Sequence, residues 1–224
     1  MLHLIKLEMR KLQLKAIFLT VFIMNVSIFG IVLLVNSDSS GFKSFEELIV
    51  FVETLVGMSF IIYTSVLLSK IFIEEFRQQT ISVLFMYPIH RLKLLLAKLI
   101  IVITFTFTFI SGSSLIIIGS YHFLSENLSF IHTLPTLSTD QLGDKLLYLI
   151  TFSVACSGLS LIPLFFGMMK KSVPATIVSS IFVILLLDTD EGQTSLDISI
   201  LVCLGVVGFL MAYWTLQRAV KADL

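Results

Sequence analysis

Few side chains in this sequence are placed to do chemistry. Glu53 is the acid that falls deepest inside an apolar run, and a carboxylate within a membrane span is by default a functional group, here a candidate for proton or cation coupling along a pathway. Its run, 48–73, holds 26 residues, about 39 Å of helix against a hydrocarbon core of roughly 30 Å. Glu53 therefore fits the outer interface as well as the interior. Ser111-Gly112-Ser113-Ser114 would suit a serine nucleophile, but no histidine lies in an apolar run to act as its base. Small residues that let helices approach closely explain that stretch better, and Gly158, Gly167, Gly205 and Gly208 read the same way. Gly158-Leu159-Ser160-Leu161-Ile162 begins like G-x-S-x-G, but Ile162 replaces the second glycine. His122, His132, Glu126 and Asp140 lack metal-ligand spacing, so no metal site is expected. Cys156 and Cys203 sit in apolar runs and read as buried thiols. Neither G-x-x-x-x-G-K-[ST] nor H-E-x-x-H occurs, so no catalytic residue and no ATP site is expected in the chain.

The elements that must carry these residues follow from composition. The chain has 224 residues, of which 57% are hydrophobic and 13% charged; soluble domains average roughly 45–50% and about 25%. Mean hydropathy is +1.02. Water cannot be the solvent for that surface, which excludes a cytosolic enzyme, a secreted disulfide scaffold and a disordered regulator. A net charge of +0 argues against nucleic acid as a partner.

Six apolar runs approach the 20 residues a spanning helix needs: 16–35, 48–73, 94–120, 146–169, 173–187 and 196–216. The fifth is the shortest, and Lys170 and Lys171 must snorkel for it to cross. Thr104 to Phe109 alternates Thr and Phe but lies inside a long apolar run, so it reads as helix and not as strand. Pro163 should kink the fourth span. The first run does not resemble a cleaved leader, since no small-residue cleavage site closes it. The fold class is thus all-α integral membrane, one transmembrane domain over 1–224.

With both termini in the cytoplasm, 13 of the 15 Lys and Arg lie inside, leaving Lys43 and Lys145 outside; that is a strong positive-inside pattern. In 1–15, Met1, Leu2, Ile5, Met9 and Leu12 share one helical arc, with Lys6, Arg10, Lys11 and Lys15 off it. An amphipathic helix in the inner interface is expected there. Residues 121–145 form an extracellular segment too broken for a span and too apolar for a free loop.

Segment 74–93 is the most informative. Glu74-Glu75-Phe76-Arg77-Gln78-Gln79-Thr80 is followed by an apolar helical stretch, Ile81 to Tyr87, which Pro88 stops. Arg91, Lys93 and Lys98 lead into the third span. Val83, Leu84, Phe85, Met86 and Tyr87 in the cytoplasm ask for a protein partner or for burial in headgroups.

The layout and this segment resemble the permease subunits of ABC-2-type exporters. Glu75 to Thr80 matches the E-x-x-x-x-T these proteins carry after the second span, and Pro88, Arg91 and Lys98 follow in order; Gln79 and His90 stand where many members have Gly and Ser. The resemblance implies a membrane-spanning subunit of an ATP-driven exporter, itself not an enzyme. It implies pairing with a second permease copy or homologue, as a dimer, and with two ATPase subunits that bind ATP and Mg. The cytoplasmic coupling helix would dock on the ATPase, with Glu74, Glu75, Thr80, Val83, Leu84, Phe85, Met86, Tyr87 and Arg91 as the coupling residues. Compact relatives of this kind export, or confer resistance to, antimicrobial peptides and antibiotics such as bacitracin and lantibiotics, which implies a hydrophobic or amphipathic cargo and a bacterial plasma membrane. Two alternatives come from other classes: a stand-alone carrier or channel, and a lipid-modifying membrane enzyme.

Overall fold

The structure is a computed structural model that describes residues 14–37, 42, 44–73, 91–127, 139–170, 172–185 and 198–222. Among them there is no β-strand. The helices are α1 (Leu14–Ser37), α2 (Phe45–Leu68), α3 (Arg91–Asn127), α4 (Thr139–Leu159), α5 (Ile162–Lys170), α6 (Val173–Ile184) and α7 (Ile198–Ala222). A π-helical turn, Ser69–Ile73, extends α2. The expected interfacial helix in 1–15 falls almost wholly outside the described residues.

Local chemistry sets the ends and breaks. Ser44 caps α2, its side chain accepting from the Glu47 N–H at 3.2 Å. Glu46 and Glu47 in the first turn complement the helix dipole. Between α4 and α5 the chain turns at Ser160 and Leu161, where the Leu161 N–H donates to Gly158 O at 3.0 Å. Pro163, second residue of α5, has no N–H to give to Leu159. That lost bond disfavours a continuous helix, and the expected kink is a break at Ser160 and Leu161. The Thr/Phe alternation is helical: Thr104 and Thr108 donate back to Ile100 O and Thr104 O at 2.8 Å. Phe105 and Phe109 stack at 5.6 Å between centroids. Such back-bonding satisfies hydroxyls within their own helix, which lets an apolar helix carry them in lipid.

Five helical stretches are long and apolar enough to cross a membrane: Lys15–Asn36, Phe45–Ile73, Leu94–Leu124, Gly143–Lys170 and Ile198–Arg218. The expected fifth span, 173–187, is present as α6, with 12 residues, about 18 Å at 1.5 Å per residue. That is too short to cross alone. The extracellular segment expected at 121–145 is also revised: α3 runs on to Asn127 and α4 starts at Thr139, so both ends of it are helical.

Contacts fix the directions. Phe60 stacks on Phe109 and Thr64 meets Thr106, so α2 and α3 run antiparallel. Glu46 pairs with Lys145 and Gly57 faces Phe152 and Cys156, so α2 and α4 run parallel. Gly205 lies on Ala155 and Gly208 on Gly158, so α4 and α7 run parallel too. The chain between them must recross the bundle, and α6 supplies the described part of that return. It packs against α2, where the Ser65 hydroxyl lies 3.3 Å from that of Ser180.

The four glycines read as close-approach points are that. A Cβ on Gly205 would lie 2.8 Å from Ala155 O, and Cβ atoms on Gly158 and Gly208 would strike the facing helix backbone. Gly167 is closed off by Thr176 and Ile73. Gly112 differs, with nothing within 4 Å of an added Cβ. In the Ser111–Ser114 stretch only Ser113 and Ser114 are buried. The expectation for Cys203 is corrected as well. Cys156 is buried, but Cys203 is exposed on α7, on the outer surface with Val206, Val207 and Leu210. Phe18, Phe22, Leu34, Phe182 and Trp214 are likewise exposed, so the bundle presents apolar side chains outward as a lipid-embedded protein does.

Candidate functional site

Two regions hold the residues singled out by sequence. The first is the excursion between α2 and α3. Of the coupling residues, Glu74, Glu75, Thr80, Val83, Leu84, Phe85, Met86 and Tyr87 lie outside the described residues. Arg91 opens α3, without a described side chain. What the structure does place is the excursion's footing. On one side Ile71 and Phe72 of the π-helical turn are buried, and on the other Leu95 and Leu99 of α3. All four join one apolar cluster with Leu161, Leu164, Ala212 and Leu216. Both ends of the 74–90 excursion are thereby set in packing that also includes α5 and α7. A displacement there would be passed to several helices at once, because close-packed cores shift as units.

Lys98 was expected at the cytoplasmic face, but it is almost fully buried in the second full turn of α3. Leu94, Leu95 and Val102, one turn to either side of it on α3, are also buried.

The second region is the bundle interior around Glu53. Its neighbours on α2 are Val52, Val56, Gly57 and Ile49, all buried. Cys156 and Phe152 of α4 lie 3.4 and 3.1 Å from where a Gly57 Cβ would be, one turn below Glu53. Two turns above Glu53 on the same face, Glu46 accepts from the Lys145 ammonium at 2.8 Å. Among the described residues, the buried side-chain atoms with no hydrogen-bond partner are Asn25 Oδ1, Asn36 Oδ1, both Glu53 oxygens, Ser114 Oγ and Tyr121 Oη. Sequence placed Glu53 at either the outer interface or the membrane interior; the structure shows its side chain buried between helices of the bundle. In sequence Ser114 counts only as part of the Ser111–Ser114 stretch, set aside as a nucleophile, and Tyr121 has no signal as a site residue, since isolated hydroxyls in apolar helices usually bond to their own backbone.

No group of His, Cys, Asp and Glu that could hold a metal ion occurs among the described residues. Of the histidine and acid set considered for a metal, only His122 has a described side chain.

A bundle of long apolar helices with an apolar outer face defines a multi-pass membrane protein. Comparison with known sequences makes the class specific. The family described as ABC-2 family transporter protein matches residues 4–186, and the chain belongs to that family. It is 32% identical to the Bacillus subtilis (strain 168) protein YcbO, described as uncharacterized, over 99% of this chain and 100% of that one. No solved structure matches it. The chain is therefore a transmembrane subunit of an ABC transporter, in a family whose members generally lack catalysis of their own and normally work with ABC ATPase partners.

Proposed function

We propose that the chain is the membrane-spanning subunit of an exporter that moves a hydrophobic or amphipathic cargo, a peptide or antibiotic, out of a bacterial cell. Two ATPase subunits binding ATP and Mg would energise it, and a second permease copy or homologue would complete the pathway. The observation that carries this reading is family membership over 4–186, which spans the 74–93 segment. Both termini are assigned to the cytoplasm on the 13-to-2 division of Lys and Arg. Segment 74–93 is assigned as the coupling helix: an apolar stretch held between two acids and a base, and rooted at both ends in one apolar cluster.

The test is to purify the chain from its native membrane under mild detergent, identify what comes with it, and assay ATP hydrolysis and cargo efflux. An ATPase subunit should copurify, and hydrolysis should appear only with it. Substantial hydrolysis by the chain alone would overturn the assignment. Cargo flux through the chain alone in vesicles would favour a stand-alone carrier, and turnover of a lipid by the chain alone would favour an enzyme.

A further inference from the structure

Three nearly fully buried polar side chains converge in level within one part of the bundle. Glu53 is 1% exposed, Ser114 0% and Tyr121 1%. None of their terminal oxygens has a partner among the described residues. Helical register puts them at one level. Thr64 lies beside Thr106 and α2 runs antiparallel to α3. Eleven residues back from Thr64 is Glu53, and eleven residues on from Thr106 is Ile117. Ser114 and Tyr121 bracket Ile117, about 4.5 and 6 Å from it along the axis at 1.5 Å per residue.

On the α4 side the level is bounded below by Phe152 and Cys156 and above by the Glu46–Lys145 pair. Among the described residues, the ionisable groups that interact electrostatically with Glu53 are Lys145 and Cys156, with Glu46 engaging Lys145 and Tyr121 on the facing α3. The charged residues of α1 and α7, Lys15, Arg218 and Lys221, lie toward the opposite end of the bundle, and α6 has none.

A bare carboxylate at such a place is costly without a compensating cation. The ammonium whose field reaches Glu53, Lys145, is engaged by Glu46. The seam is also tight, since even one methyl group at Gly57 would press on the Phe152 ring. A hydrated metal ion does not fit such packing, and a proton does.

We propose that Glu53 is a proton-binding site of this permease, protonated while the α2–α4 seam is closed, and that it exchanges its proton with water when the seam parts at its Lys145 end. On unloading, the carboxyl O–H bond breaks, the proton leaves to water, and the carboxylate keeps the electron pair. The Lys145 ammonium then turns from Glu46 toward the exposed Glu53 carboxylate. Glu46 is left exposed to water, where a free carboxylate is well solvated. The idea rests on the permease reading for the unloading step only.

The experiment uses the full chain with its copurifying ATPase in lipid vesicles. N,N′-dicyclohexylcarbodiimide adds to protonated carboxyl groups in apolar sites, and mass spectrometry locates the adduct. The expected result is an adduct on Glu53 at rest that falls several-fold during ATP turnover. No adduct on Glu53 at rest, under conditions where the reagent labels a known buried carboxyl in a control protein, overturns the proposal. An adduct unchanged during turnover overturns it too, because the proton is then static. A complex that shows no ATP turnover at all instead counts against the permease reading, while labelling at rest still reports on the site. Infrared difference spectra provide a readout independent of the reagent: the carbonyl band of a protonated acid should be present in the parent and absent in Glu53→Gln.

Discussion

The hydroxyls of Thr64 and Thr106 lie 3.1 Å apart across α2 and α3, while each is also 2.8 Å from a carbonyl of its own helix, Phe60 O and Val102 O. Two hydroxyls bring two protons to three contacts, so one threonine donates across the interface and the other donates to its own backbone. The pair ties together two long helices at mid-depth. Thr64→Val and Thr106→Val keep the shape and remove the protons. Each should cost about 1 kcal/mol or less, as interhelical hydrogen bonds in membranes do. The double variant should cost less than the sum, by about 0.5 kcal/mol or more, because the two share one contact. A four-way comparison of unfolding in mixed detergent would show this. Strictly additive costs would mean the two hydroxyls do not interact.

The parallel crossing of α4 and α7 depends on bare glycine backbones. Gly158→Val or Gly208→Val puts a side chain into the facing backbone, where neither helix can yield without parting. Overpacking in a well-filled core costs about 1–3 kcal/mol, and a backbone clash belongs at or above the top of that range. Gly30→Ala and Gly112→Ala meet nothing within 4 Å inside this chain and should leave stability unchanged. Thermal melts of the four purified variants are the measurement. Equal behaviour in both pairs would show that the α4–α7 crossing is loose.

Much of this architecture is legible in the residues themselves. Apolar run length finds the long helices, since lipid permits no other way to satisfy the backbone. Pro163 and the four glycines announce a break and a close crossing through what they lack, an N–H and a side chain. The length of α6 was harder to read. Val173 to Leu187 carries no charge and only Thr176, Ser179 and Ser180 as polar residues, and such a run does not say where a helix stops when its neighbours shelter it. The register of Glu53 against its neighbours was open for a related reason: a 26-residue run can slide by two turns, and the Thr64–Thr106 and Glu46–Lys145 contacts fix it relative to α3 and α4. Tyr121 was invisible, and Ser114 was legible only as a nucleophile to set aside, because their meaning lies in the helix opposite. The coupling assignment rests on the local pattern of 74–93 and the family it resembles, and those residues, apart from the backbone of 91–93, lie outside the described residues.

Orientation has a direct test. Single cysteines at Glu47→Cys and Asp190→Cys should react with an impermeant thiol reagent in intact cells, whereas Arg77→Cys and Lys171→Cys should react only after the membrane is opened. Cys156 and Cys203 are replaced first, by alanine and by serine, so that the signal comes from the introduced thiol. The basis is the asymmetry of 13 Lys and Arg against 2. Reaction at Arg77→Cys in intact cells would invert the topology and remove the coupling segment from the cytoplasm.

The last prediction concerns that segment. If Val83 to Tyr87 form the contact with the ATPase, then Phe85→Asp places a carboxylate in an apolar interface. An ionised group left buried without a partner costs several kcal/mol, enough to reduce the bound fraction by orders of magnitude at fixed subunit concentration. The damage should be confined to association. The footing of the segment, Phe72 on one side and Leu95 on the other, is packed within this chain and does not depend on residue 85. The variant should therefore insert, melt like the parent and lose copurifying ATPase. Glu75→Gln acts differently: it keeps the shape and removes one charge at the inner interface, where Arg91 supplies the opposite sign. It should retain the ATPase and lower the cargo moved per ATP hydrolysed. Measuring ATPase retention and efflux for both variants separates binding from coupling. If Phe85→Asp holds its ATPase and transports like the parent, the contact lies elsewhere and the role assigned to 74–93 fails.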